Sequence, residues 1–161
     1  MKHTYTKELM TTPAITLEER TPIIDVIKTF KEKNIGFLPI TKNNVIIGVI
    51  TDRDVLIRSM ESQNLNTPIN QILTTGEIHF ISPETTLIDA AKMMAEHKVR
   101  RLPVLNDGKV IGILTSKNLI QEPSLLPYVI ETYNNHTTLN PYSIYSNSNP
   151  HDSVKTADFP L

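Results

Sequence analysis

The stretch "VIIGVITDRDVL" (Val45–Leu56) decides the fold. It opens with β-branched residues around a single glycine, the pattern of a strand buried on both faces. It ends in Thr51, Asp52, Arg53 and Asp54, residue types that begin helices rather than continue strands. A strand that turns directly into a helix brings the helix's unpaired N–H groups and positive dipole end to the edge of a sheet. Sixty-four residues on, "VIGILTSKNLI" (Val110–Ile120) repeats the order, with Asn118 where the first copy has Asp54.

The repeat is wider than these two stretches. Residues 21–56 align with 85–120 without a gap, and the identities include Thr21/Thr85, Asp25/Asp89, Lys28/Lys92, Leu38/Leu102, Pro39/Pro103 and Gly48/Gly112. Each copy opens with a short apolar strand, Ile15–Leu17 and Ile78–Ile81, with a slip of one residue between them. Thr21 and Thr85 are the expected helix caps, and Pro22 suits the first helical position. Apolar residues at Ile23, Val26, Ile27 and Phe30, and at Leu87, Ala90, Ala91 and Met94, form two amphipathic stripes. Asn34 is expected to close the first helix in a left-handed cap. Strands Phe37–Thr41 and Val45–Thr51 follow, joined by Lys42-Asn43-Asn44. In the second copy Arg101–Leu105 and Val110–Thr115 are joined by Asn106-Asp107-Gly108, a hairpin signal. A further helix begins near Asp52 and near Ser116, with Asp52 as its expected cap.

The unit is therefore β-α-β-β-α, and one copy alone has little core to bury. The expected fold is α+β, with two pseudo-symmetric units, 1–64 and 65–122, packed through their sheets. Residues 123–161 are expected to hold one short helix, Leu125–Thr132, and then a flexible tail. The run 133–153 is rich in Asn, Ser and Tyr, has one formal charge and shows no periodicity.

Composition narrows the function. The net charge is −1, which gives no field favouring nucleic acid or an anionic membrane. Cysteine is absent, which excludes disulfides and thiolate metal sites. "MKHTYTKELMTTP" has no apolar core of a secretory signal and no run is long enough to span a bilayer, so a cytoplasmic location is expected. No phosphate-binding glycine loop, G-x-S-x-G or H-E-x-x-H is present, and the five histidines have no metal-ligand spacing. No catalysis, metal or required cofactor is expected.

The Thr-x-x-Asp corner itself suggests a ligand. Thr51 reads either as a helix cap or as a hydroxyl that joins the helix N–H groups around a phosphate. Asp54, in the first helical turn, repels phosphate and accepts from a neutral diol such as ribose, or else simply complements the dipole. Arg53, Arg100 and Arg101 are candidate phosphate partners. Ile15, Phe37, Leu38 and Pro39 are candidates to line an apolar slot for a base, with the Pro13-Ala14 backbone offering hydrogen bonds to its edge.

The paired stretches "GFLPITKNNVIIGVITDRDVL" and "RRLPVLNDGKVIGILTSKNLI" resemble tandem cystathionine-β-synthase (CBS) domains, the pair called a Bateman module. The resemblance spans about residues 1–122. It implies a regulatory sensor in which the Thr and Asp of Thr-x-x-Asp contact the phosphate and ribose of AMP, ADP, ATP or S-adenosylmethionine. Those roles carry over to Thr51 and Asp54, and in the second copy to Thr115, with Asn118 replacing the acid. It also implies basic residues reaching phosphates across the cleft, here Arg100 and Arg101, where the first copy has Gly36 and Phe37. A homodimer and a regulated protein partner are expected. The competing reading is a ligand-free dimerisation or interaction module; a nucleic-acid adaptor is disfavoured by charge.

Overall fold

The computed structural model describes residues 4–62, 64–73 and 78–137. Strand β1 (Leu17–Glu18), helix α1 (Ile23–Lys33), strands β2 (Phe37–Lys42) and β3 (Val45–Thr51), and helix α2 (Asp52–Ser62) form unit one. Helix α3 (Leu87–Glu96), strands β4 (Arg101–Asn106) and β5 (Lys109–Thr115), and helix α4 (Ser116–Leu119) form unit two. Helix α5 (Leu126–Thr137) follows and packs on α3.

The hairpins fold as their turn residues dictate. Asn43 and Asn44, and Asp107 and Gly108, all have positive φ, the two-residue turn that matches strand twist. Both hairpins carry a register shift at the same place in the repeat, Ile40/Thr41 and Val104/Leu105. β1 pairs in parallel with β2, Leu17 opposite Ile40. In unit two the equivalent strand shrinks to a single bridge, Ile81 opposite Val104. Both pairs keep the spacing of sixty-four, so the expected one-residue slip between the copies is absent.

Helix ends correct three other expectations. Pro22 occupies the cap position of α1, which has no side-chain cap, because Thr21 lies one residue too early. Thr86, not Thr85, caps α3 by accepting from the Asp89 N–H. Thr51, not Asp52, caps α2: its Oγ1 accepts from the Asp54 N–H at 3.1 Å, while Asp52 is the first helical residue. Asn34 closes α1 in the left-handed conformation, as expected. α5 runs to Thr137, so residues 133–137 are helical rather than tail; the rest of the expected tail lies outside the described residues.

Each unit has its own core. Ile23, Val26, Leu38, Ile40 and Ile50 are sealed in unit one, and Leu87, Ala90, Met94, Leu102 and Leu114 in unit two. The stretches that lead into the units are exchanged. Residues ahead of unit one bind unit two: the Thr6 N–H donates to Thr85 O at 2.9 Å, the Leu87 N–H donates to Thr4 O, and Leu9 joins the second core. Residues ahead of unit two bind unit one: the Ile23 N–H donates to Thr67 O, the Ile69 N–H to Thr21 O, and Ile69, Ile72 and Leu73 join the first core. The units also meet where β3 lies against β5. Fully burying a Leu or Ile contributes about 1.5–3 kcal/mol, so this exchange couples the units more firmly than sheet contact alone.

Candidate functional site

The N-terminal leader continues from unit two's helix to the open edge of β5. The Thr11 N–H donates to Ile113 O at 2.9 Å, the Ile113 N–H returns to Thr11 O at 3.0 Å, and the Ala14 N–H donates to Ile111 O at 3.1 Å. Gly112 makes this approach possible: a Cβ there would stand 2.6 Å from Met10 Sδ and 3.1 Å from Thr11 O. The leader thereby becomes one wall of a cleft of about 720 Å³. Pro13, Ala14 and Ile15 of the leader line that cleft together with Thr115, Lys117 and Asn118 of the second corner. Gly36, Phe37 and Arg101 line it as well.

A second cleft, of about 230 Å³, is its repeat-related counterpart. Ile78 and His79 stand where Ala14 and Ile15 stand in the first, and Thr51 stands where Thr115 does. Arg100 and Arg101 occupy the places of Gly36 and Phe37. His79 also stacks on His97, with ring centroids 3.7 Å apart.

This pairing corrects the expected grouping. Pro13, Ala14 and Ile15 face the second copy's corner, not the corner of Thr51 and Asp54. The reason is the leader exchange, which puts each copy's opening segment across from the other copy's helix start. The Ala14 N–H is already bonded and proline has none, so the hydrogen bonds this backbone can offer a base edge are those its carbonyl oxygens accept. Leu38 is fully buried in the first core and Pro39 is buried beside it, and neither lines a cleft. Arg53 is exposed on α2 and lines neither cleft, and Asp54, half-buried and bonded to Thr51, is not among the lining residues of either cleft. Residues the sequence reading missed include Lys117 and Gln121 in the larger cleft and His79 and Pro103 in the smaller. The repeat offset was the available signal: once one wall is placed, adding or subtracting sixty-four gives the other cleft.

The two corners have the same internal bonding. The Thr51 N–H and hydroxyl both donate to Asp54 Oδ2, at 3.0 and 2.6 Å. The Thr115 N–H and hydroxyl both donate to Asn118 Oδ1, at 2.9 and 2.6 Å, and the Asn118 N–H returns to Thr115 Oγ1. Each is a reciprocal capping box. The Thr51 and Thr115 hydroxyl protons are thus engaged, and what remains differs. Asp54 keeps Oδ1, an anionic acceptor. Asn118 keeps its NH2 group, a donor.

Positive charge is gathered between the clefts. Arg101 is partly buried, with Cζ 5.7 Å from the Phe37 ring centroid. Burial, and then neighbouring Arg100, lower its pKa, against a smaller opposing effect of Asp52. No carboxylate lies within ion-pair distance of it among the described residues. A guanidinium so placed gains from an incoming anion. Arg100 lies with Cζ 5.8 Å from the Tyr133 ring, and the Tyr133 hydroxyl is 3.1 Å from Ser116 Oγ. No group of three metal-ligating side chains occurs among the described residues, and no described helix is long and apolar enough to cross a membrane.

The family model of the CBS domain matches twice in tandem, over residues 7–61 and 69–124. The chain belongs to the CBS-domain family. Among its relatives, the CBS domain-containing protein YhcV of Bacillus subtilis is 31% identical over 114 residues, 70% of this chain and 81% of the relative. Protein MJ1225 of Methanocaldococcus jannaschii is 36% identical over 116 residues, 71% of this chain but 41% of that longer protein. The solved structure of CBSX2 in complex with AMP matches with a TM-score of 0.63 and 28% identity, covering 76% of this chain and 98% of that one. The CBS pair is thus both a sequence repeat and a structural one.

Proposed function

We propose that this CBS pair is a regulatory module, not an enzyme. In this reading it binds an adenosine-containing ligand (AMP, ADP, ATP or S-adenosylmethionine) between its units and signals occupancy to a protein partner in the cytoplasm. The observation that carries the reading is the composition of the larger cleft. Its lining combines apolar residues of the leader, a polar helix start, and a partly buried guanidinium that has no carboxylate within ion-pair distance among the described residues. Those are the needs of a base, a ribose and a phosphate in one place. The AMP bound by CBSX2, a relative in fold and sequence, supports the same ligand class. Because both units wall the cleft, a ligand that fills it favours one relative orientation of the units, and that orientation is what a partner would read.

Thermal unfolding with a panel of adenosine, AMP, ADP, ATP, S-adenosylmethionine, adenine and GMP tests this. A ligand at a hundred times its Kd stabilises the native state by about 2.7 kcal/mol, and the transition moves up by several degrees. Adenosine compounds should raise it well above adenine and GMP. No shift with any of them at millimolar concentration removes the reading.

A second reading has its own observation. Leu56 and Met60 on α2 are 66% and 73% exposed, and Ile130 on α5 is 56% exposed. Such apolar faces suit pairing with a second copy, and a homodimer is proposed on that ground. Sedimentation should report a dimer at micromolar concentration, and Leu56→Glu with Met60→Glu should yield a monomer. If the wild type is a monomer with and without nucleotide, the pairing is wrong.

A further inference from the structure

Phe37 and Arg101 are the residues that line both clefts. They are also repeat partners, sixty-four residues apart, so they meet where the two halves of the molecule are related to each other. Cross-strand pairing explains how each reaches a corner: Arg101 lies opposite Thr115 and Phe37 opposite Thr51. A fully symmetric pair would place the same residue at both positions. Here one position is a cation, the other an aromatic ring that the guanidinium lies over, 5.7 Å from its centroid. A ring face offers no hydrogen-bond acceptor in the way a carboxylate does, so the N–H groups of a guanidinium held over it stay available to a ligand. Each cleft also has a cation of its own, Lys117 in the larger and Arg100 in the smaller.

We propose that Arg101 is an anion-binding residue shared by the two clefts, so that two phosphate-bearing ligands compete for one guanidinium while two neutral nucleosides do not. The inference rests on reading both clefts as nucleotide sites. Gripping one phosphate through two parallel N–H bonds commits one edge of the guanidinium and its charge, so a second phosphate meets the remaining N–H groups against the repulsion of the first. The first AMP takes that edge, and the second relies mainly on its cleft's own cation. Occupancy by AMP is then graded: one molecule at low concentration, a second only at much higher concentration. Adenosine fills both clefts without this penalty.

The test uses the full chain and two cleft-filling variants at equivalent positions, Ala14→Phe for the larger cleft and Ile78→Phe for the smaller. Calorimetric titration of each gives the affinity of the cleft left open. In the wild type the second AMP should bind at least about tenfold more weakly than in the variant where its cleft stands alone. Adenosine should bind as it does in those variants. Adding Arg101→Gln to either variant should cost AMP about tenfold or more and leave adenosine within about twofold. Where a filled cleft unsettles the fold, phosphorus NMR of the wild type gives an independent readout: the first AMP's phosphate resonance should shift much further than the second's. A second AMP at full strength, equal phosphate shifts, or an Arg101→Gln effect confined to one cleft overturns the sharing and leaves the nucleotide reading standing. Absence of binding by both adenosine and AMP takes down that reading and this one together.

Discussion

Two corners of this molecule have the same bonds and different faces. Thr51 with Asp54, and Thr115 with Asn118, form reciprocal caps whose corresponding distances agree to within about 0.1 Å. A carboxylate and an amide carbonyl serve equally well inside the cap. Starting a helix therefore does not require an acid, and the acid in unit one is free to be judged by the atom it leaves outside. That atom is an acceptor at Asp54 and the NH2 donor at Asn118. The difference separates a structural role, which both residues fill, from a recognition role, which only one can fill in a given way.

The largest expected effect tests whether the two units are comparable bodies at all. Ile69 precedes α3 and the strands of unit two in the chain, yet it is fully buried in the core of unit one. Ile69→Ala should cost about 2–5 kcal/mol. Hydrogen exchange should show the loss in α1, β2 and β3 rather than in α3 and β4. Leu9→Ala, in the other leader, should expose α3 and β4 instead. Faster exchange in the unit that follows each substituted residue in the chain would mean that the leaders are not exchanged.

Much of this was legible in the sequence, and the reason is local. Hairpin turns, the Asn34 cap and the apolar stripes of α1 and α3 are each set by residues within one element, so periodicity and turn chemistry find them. The repeat fixed the order of elements. What did not show was which parts lie across from each other. Pro13, Ala14 and Ile15 stand next to unit one in the chain but bond to β5, and nothing local in them says so. Gly112 was the remote sign, a glycine in a buried strand that admits another backbone. Cap positions missed by one residue because Thr21, Thr85 and Asp52 are as good by residue type as the positions actually used.

Next in size is the pair Asp54→Ala and Asn118→Ala. Both remove a capping partner, so both should lower stability, each by about 0.5–2 kcal/mol. The fold is thus less tolerant here than exposed helix starts usually are. Ligand affinity should split the two. On the proposal that Asp54, beside the Thr51 that lines the smaller cleft, meets the ribose there, Asp54→Ala loses a charge-assisted bond of about 1.5–3 kcal/mol, a roughly 10- to 150-fold weaker hold on adenosine in that cleft. Asn118→Ala loses a neutral donor in the larger cleft, about 0.5–1.5 kcal/mol. Calorimetry at matched folding, judged by circular dichroism, compares them. If Asn118→Ala abolishes adenosine binding while Asp54→Ala leaves it intact, the larger cleft is the only one that reads a ribose and the roles of the corners are reversed.

The smallest effect is the sharpest on the comparison itself. Asn118→Asp makes the second corner a copy of the first. The new carboxylate can accept the same two bonds from Thr115, so the cap survives and the melting temperature should move little. Outside the cap, a donor becomes an anionic acceptor. In the larger cleft that carboxylate would face Lys117 and Arg101, drawing on the charge that otherwise meets a phosphate. Adenosine should therefore gain there, through a better ribose acceptor, and AMP should gain less or lose. The quantity to measure is the ratio of AMP to adenosine affinity in the Ile78→Phe background, where only the larger cleft is open. The ratio should fall by a few-fold, corresponding to about 1 kcal/mol. An unchanged ratio would mean that the outward atom at this position does not meet the ligand, and that the two corners differ in sequence without differing in what they recognise.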